Sequence, residues 1–194
     1  TRQPIQKVQQ SVLTLVATGD IMMAGSALPI LRLRGPDYGF DSTRQVLLRA
    51  DLALGNLEAP FTCTGTPFDK KFTFRVPPAF APSLVNAGFD CVTLANIHIL
   101  DYGRQGLFDT IRILDSLNIA HCGAGNDRDA AYRGRVVVCG DWRVGCLGFS
   151  LTYPAEFWAT SVRPGTAYPS QERVEKEIAD LRKRADLIVV QFHW

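Results

Sequence analysis

No apolar run in this chain approaches the ~18 residues that a membrane-crossing helix needs, so no transmembrane span is expected. Charge of either sign is not in excess: 21 Lys+Arg against 19 Asp+Glu leave a formal net charge of +2. That balance excludes a broad electrostatic grip on nucleic acid. The five cysteines (63, 91, 122, 139 and 146) are odd in number, scattered and without a C-x-x-C pair. Neither a zinc knuckle nor a complete disulfide framework fits them, and reduced core thiols are expected. Ser150, Ser161 and Ser170 lack a G-x-S-x-G setting, which excludes a serine-hydrolase elbow. Gly123-Ala124-Gly125 lacks the third glycine of a dinucleotide fingerprint, since position 128 is Arg, and reads as a turn into a helix at 127–131. There is no internal repeat and no low-complexity block. What remains, at 194 residues, 46% hydrophobic and 21% charged, is the composition of one ordinary globular domain with a single large core.

Residues 1–11 are polar and aperiodic and read as a tail or linker, leaving 12–194 as the domain. Apolar, β-branched runs predict strands over 12–18, 51–55, 90–95 and 118–122, and again over 186–192. Helices are expected over 43–50, over 81–87 with a stop at Gly88, over 104–117 with Leu107, Ile111 and Leu114 on one face, and over 170–184 with Ser170 as cap. The segments 134–139 and 143–149 predict an antiparallel pair turning at Gly140-Asp141. Between Pro60 and Pro78 the chain reads as an irregular excursion, with a strand at 72–76. Strands alternating with helices define a layered α/β domain with a mostly parallel sheet. Because the chain stops on an apolar run, the C-terminal part of the domain is expected to lie beyond it.

In open α/β sheets ligands sit beyond the carboxyl ends of the strands. Four of the expected strands end in polar sets: Asp20; Asn56 and Glu58; Asn96, His98 and Asp101; and His193. Carboxylate, amide and imidazole together suit a borderline divalent cation such as manganese, zinc or iron. Such an ion can lower the pKa of bound water and orient a phosphoryl or acyl group. Asp20, Asn56, Glu58, Asn96, His98 and His193 are therefore the candidate ligands, with His98, Asn96 and Asp101 as candidate catalytic groups. His121 also lies near a strand end but reads as structural. Lys70, Lys71 and Arg75, interleaved with Phe68, Phe72 and Phe74, form a basic cluster suited to an acidic polymer or a phosphate-bearing substrate.

A series of motifs then occurs in order: Gly19-Asp20-Ile21-Met22, Gly55-Asn56-Leu57-Glu58-Ala59-Pro60, Lys71-Phe72-Thr73-Phe74-Arg75 and Ala87-Gly88-Phe89-Asp90. Leu94-Ala95-Asn96-Ile97-His98, Leu100-Asp101-Tyr102-Gly103, Gly106-Leu107 and Gly123-Ala124-Gly125 follow. From about residue 13 onward the chain resembles the bacterial capsule-synthesis family, the CapA-type proteins of poly-γ-glutamate biosynthesis. That family resembles the calcineurin-like metallophosphoesterases. The resemblance implies a metallo-dependent phosphatase-like α/β/β/α sandwich with mixed, mostly parallel sheets and a metal centre on the strand ends. It implies that Asp20, Asn56, Glu58 and His193 serve that centre, and that Asn96 and His98 match an Asn-His pair used for metal and phosphoryl contact. Met22 stands where phosphoesterases carry a His, and Ile97 where a second Asn is usual. The implied function is capsule or cell-envelope polymer synthesis with a metal-dependent hydrolase site, beside other capsule-synthesis membrane proteins. The alternatives are a stand-alone phosphoesterase on a small phosphate ester and a non-catalytic polymer-binding scaffold. The resemblance implies an anchored, extracytoplasmic location, whereas the unpaired thiols fit a cytoplasmic one.

Overall fold

The computed structural model describes residues 12–194; the expected tail at 1–11 lies outside the described residues. Four strands form one parallel sheet in chain order: β1 (Leu15–Ile21), β2 (Leu52–Leu57), β3 (Cys91–Thr93) and β4 (Ala120–Cys122). Parallel strands need crossovers, and helices supply them here: α1 (Ala27–Arg34) and α2 (Arg44–Leu47) between β1 and β2, α3 (Pro82–Ala87) before β3, and α4 (Gly103–Ser116) before β4. Gly88 ends α3 in the left-handed conformation, φ 99°, and its N–H bonds back to the carbonyls of Leu84 and Val85. A two-stranded ribbon pairs β5 (Ala124–Gly125) with β8 (Gly165–Thr166). The short helix α5 (Arg128–Tyr132) follows β5, and the Asp127 carboxylate accepts from Ala130 N–H at 2.8 Å to cap it. The second sheet joins β6 (Arg135–Cys139) and β7 (Trp142–Ser150) antiparallel, then β7 and β9 (Leu187–His193) parallel, with α6 (Gln171–Leu181) leading into β9.

The layers follow from which faces are apolar. Ile21, Ala53, Leu57 and Val92 of the first sheet bury against Leu31, Leu47, Leu84, Leu107 and Leu114 of its helices. On the opposite face Leu52, Leu54, Cys91 and Cys122 meet Cys139, Val144 and Cys146 of the second sheet. The outer face of that sheet, through Leu147 and Phe149, packs on Tyr132, Leu181 and the half-buried Val174 and Ile178 of α5 and α6. The result is a helix–sheet–sheet–helix sandwich. Four of the five thiols are buried between the sheets, as expected of core cysteines; Cys63 is exposed.

Several boundaries differ from expectation. β1 runs past Gly19-Asp20 to Ile21 because one extra residue is inserted between Ala17, opposite Leu54, and Asp20, opposite Asn56. The expected strand at 72–76 is a single bridge from Val76 to Phe61, since Phe74 N–H goes to the Asp101 carboxylate instead of a ladder. Ser170 precedes α6 but makes no side-chain cap. The helix α1 has no forerunner in the sequence pattern, because its apolar residues follow no helical stripe.

The two sheets come close together where β7 passes β3. A Cβ added to Gly148 would lie 2.0 Å from Thr93 Oγ1 and 2.9 Å from Thr93 Cβ, inside contact distance. Gly148→Ala should therefore destabilise the fold by about 2 kcal/mol, as overpacking does. Urea unfolding measures it, and the Thr93→Gly background should recover part of the loss.

Candidate metal centre

The inserted residue in β1 matters because one position of slip turns a side chain to the other face. With it, Asp20 stands beside Asn56, and Asn56 Nδ2 donates to Asp20 Oδ1 at 2.7 Å. Glu58 comes two residues later, just past the end of β2, and its Oε2 accepts from the same amide at 2.6 Å. From the second sheet β9 ends with His193 opposite Ser150, and His193 Nδ1 lies 3.2 Å from that amide nitrogen. His193 Nδ1 is 3.5 Å from Asp20 Oδ1, and its Nε2 is 3.6 Å from Glu58 Oε1. One ligand atom each from Asp20, Glu58 and His193 lie within 4.8 Å of one another.

Two carboxylate oxygens thus take up both hydrogens of one amide, with an imidazole nitrogen drawn up beside them. Glu58 is 4% exposed. Burial, with the Asp20 carboxylate beside it, pushes its pKa up from 4.5 to about 8. Two carboxylates and an imidazole, drawn together with no Lys or Arg side chain bonded to either carboxylate among the described residues, form a donor set short of a cation. A borderline divalent ion fits it by ligand chemistry.

Asn96 stands behind this group. Its Nδ2 donates to Asn56 Oδ1 at 3.0 Å and to the Leu57 carbonyl at 2.7 Å, while its Oδ1 accepts from the N–H groups of His98 and Ile99. All of these bonds are directed into the fold, so it orients Asn56 and shapes the turn that carries His98. His98 belongs to a second cluster, built on the fully buried Asp101. Asp101 Oδ2 lies 2.7 Å from His98 Nδ1 and accepts from Phe74 N–H at 2.6 Å; Asp101 Oδ1 pairs with Lys70 Nζ at 2.5 Å. Lys70 Nζ also donates to the Ile97 carbonyl at 2.6 Å, and Phe74 packs on the His98 ring at 4.7 Å between centroids.

The three cations of the excursion consequently part company. Lys70 turns inward to Asp101. Lys71 sits over the ring of Phe72, and Arg75 lies over Tyr102 with a hydrogen bond to the Cys63 carbonyl. The Lys70–Asp101 pair was not legible from spacing, because α3 and β3 intervene between the two in sequence. His121 stands away from the centre, its Nε2 3.1 Å from Asp115 Oδ1, and burial lowers its pKa. Asp101→Asn should cost about 3 kcal/mol, since it strips the counter-charge from a largely buried ammonium. Thermal or urea unfolding checks this.

A sandwich with a strand-end acid–histidine group at the junction of its sheets defines a metallophosphatase-like α/β class. Residues 14–194 match the family described as "Bacterial capsule synthesis protein PGA_cap", and the chain belongs to that family. It is 30% identical over 203 residues to "Capsule biosynthesis protein CapA" of Bacillus anthracis, covering 98% of this chain and 48% of that protein. To "PGA biosynthesis protein CapA" of Bacillus subtilis (strain 168) it is 28% identical over 193 residues, covering 98% and 51%. A "Probable polyglutamine synthesis accessory protein" of Mycobacterium tuberculosis is 35% identical over 156 residues, covering 74% and 41%. The chain spans about half the length of the first two relatives. Among the described residues no helix is long and apolar enough to cross a membrane.

Proposed function

We propose that this chain carries a metal-dependent, phosphoesterase-like hydrolase site that works in capsule or cell-envelope polymer synthesis. The observation that carries the reading is the convergence of Asp20, Glu58 and His193, from the carboxyl ends of three strands in two sheets, within 4.8 Å. Asp20, Glu58 and His193 would hold a divalent ion, Mn, Zn or Fe, with Asn56 aligning the two carboxylates. Such an ion supplies Lewis acidity and an acidified water. Asp101 accepts the Nδ1 proton of His98, which fixes the ring and leaves Nε2 for proton exchange at a departing or attacking oxygen. Lys70 holds Asp101 in place, and Asn96 sets the turn on which His98 stands. The relatives' names, capsule, PGA and polyglutamine synthesis, supply the polymer context. On this reading the chain works at the cell envelope beside other capsule-synthesis proteins. Added Mn2+ should switch on hydrolysis of an aryl phosphate or phosphodiester, and His98→Ala should lower kcat by about 100-fold or more, the usual worth of a general acid. Turnover that is independent of metal, or unchanged in His98→Ala, contradicts the reading.

A further inference from the structure

The loop after β7 leaves the candidate centre and reaches a second, basic recess. It starts beside His193, whose carbonyl accepts from Leu151 N–H at 2.8 Å. Two consecutive aromatic residues in it then serve different places. Phe157 packs edge-on to Phe68 at 4.9 Å, with Lys70 Nζ 5.1 Å from its ring. Trp158 packs on Tyr168, centroids 3.9 Å apart, and on Tyr153 at 5.1 Å. Beside Trp158 opens a cavity of about 350 Å³ whose walls include Arg128, Tyr132, Trp158, Arg163, Tyr168 and Arg173 and, among the described residues, no acidic side chain.

Three guanidinium groups border one recess. Arg163 Nη2 is tied to the carbonyls of Ala155 and Trp158, both at 3.1 Å, which fixes its side chain without neutralising its charge. Arg173 lies over the Tyr132 ring at 5.3 Å and pairs with Asp129 at 3.0 Å. That carboxylate is 80% exposed, so the pair is weak and exchangeable. Among the described residues neither Arg128 nor Arg163 has an acidic partner within ion-pair distance. Planar guanidinium forks match carboxylates in paired hydrogen bonds, while the Trp158–Tyr168 surface suits short aliphatic stems between them.

We propose that this arginine-lined recess binds an oligomeric polycarboxylate of the poly-γ-glutamate type, and that the loop 151–164 links it to the strand-end centre. The inference rests on the polymer-synthesis reading above for its ligand, but not on catalysis. A nucleic acid fits less well, because the chain as a whole is nearly neutral.

The test measures fluorescence anisotropy of dye-labelled poly-γ-glutamate with the full chain. Arg128→Ala/Arg163→Ala/Arg173→Ala should weaken binding about tenfold or more, with unchanged circular dichroism; the matching triple Lys variant should recover only part of it. Should the triple variant misfold, protection of Trp158 emission from acrylamide by the polymer, absent in Trp158→Phe, gives the same answer in a folded protein. Asp20→Asn should retain polymer binding, which separates this site from the catalytic reading. Wild-type affinity in the triple variant, no protection of Trp158, loss instead on Lys71→Ala/Arg75→Ala, or equal affinity for polyphosphate or single-stranded DNA would overturn the proposal.

Discussion

His193→Ala is expected to weaken Mn2+ binding by about 100-fold or more while leaving the protein folded. The imidazole is the only nitrogen donor of the Asp20–Glu58–His193 group and the only one contributed by the second sheet. Its removal leaves two carboxylates on the first sheet with no partner opposite. The fold should tolerate the change because His193 is the last paired residue of β9, and its backbone still accepts from Leu151. Calorimetric titration with Mn2+ gives the affinity, and far-ultraviolet circular dichroism the fold. An affinity within about threefold of wild type would place the ion elsewhere, since a lost ligand costs far more than that.

Glu58→Gln is expected to stabilise the metal-free protein at alkaline pH and to abolish its response to metal. The Glu58 carboxyl is held at about 8 when folded, against 4.5 when free, chiefly by burial and then by Asp20. Between those values the folded state keeps a proton that the unfolded state has lost, so stability falls as pH rises through the window. Above it the penalty is complete, on the order of 5 kcal/mol at most. The amide that replaces the carboxyl in the variant cannot ionise, so this fall should be missing from it, while the depressed His121 titrates alike in both proteins and cancels in their difference. A bound divalent ion reverses the sign for wild type: it needs the carboxylate ionised and displaces the proton, so the stabilisation by Mn2+ should grow as pH rises toward about 8. Denaturant unfolding of both proteins across this range, with and without metal, reads the effect. A wild-type stability that does not fall relative to Glu58→Gln as pH rises, in the absence of metal, would contradict it.

The alternation that makes this fold was legible because its strands are apolar, β-branched and short, and because Gly88 and the stripe Leu107, Ile111, Leu114 mark helices by chemistry that acts locally. Asp20, Asn56 and Glu58 were legible as neighbours for the same reason, since parallel strands deliver their ends to one rim; His193, read as another end of that same sheet, instead reaches them from β9 of the second sheet. Their separation from the His98–Asp101 cluster was not legible. Whether Asn96 faces a ligand or the fold depends on two backbone N–H groups that only the turn at 96–99 brings to its oxygen. Lys70 reads as a surface cation until the excursion folds back and the buried Asp101 claims it. The inserted residue in β1 is equally silent, because Thr18-Gly19 reads as a strand end and becomes a bulge only when β2 fixes the register. The arginine recess was hidden for a related reason, since Arg128, Arg163 and Arg173 come from three separate segments.

The most direct test of the metal centre is anomalous diffraction from crystals of the chain grown with Mn2+. One strong peak is expected within bonding distance of Asp20, Glu58 and His193, and it should be absent in His193→Ala. No peak there at saturating Mn2+, or a peak at another site with this group still closed on the Asn56 amide, would contradict it.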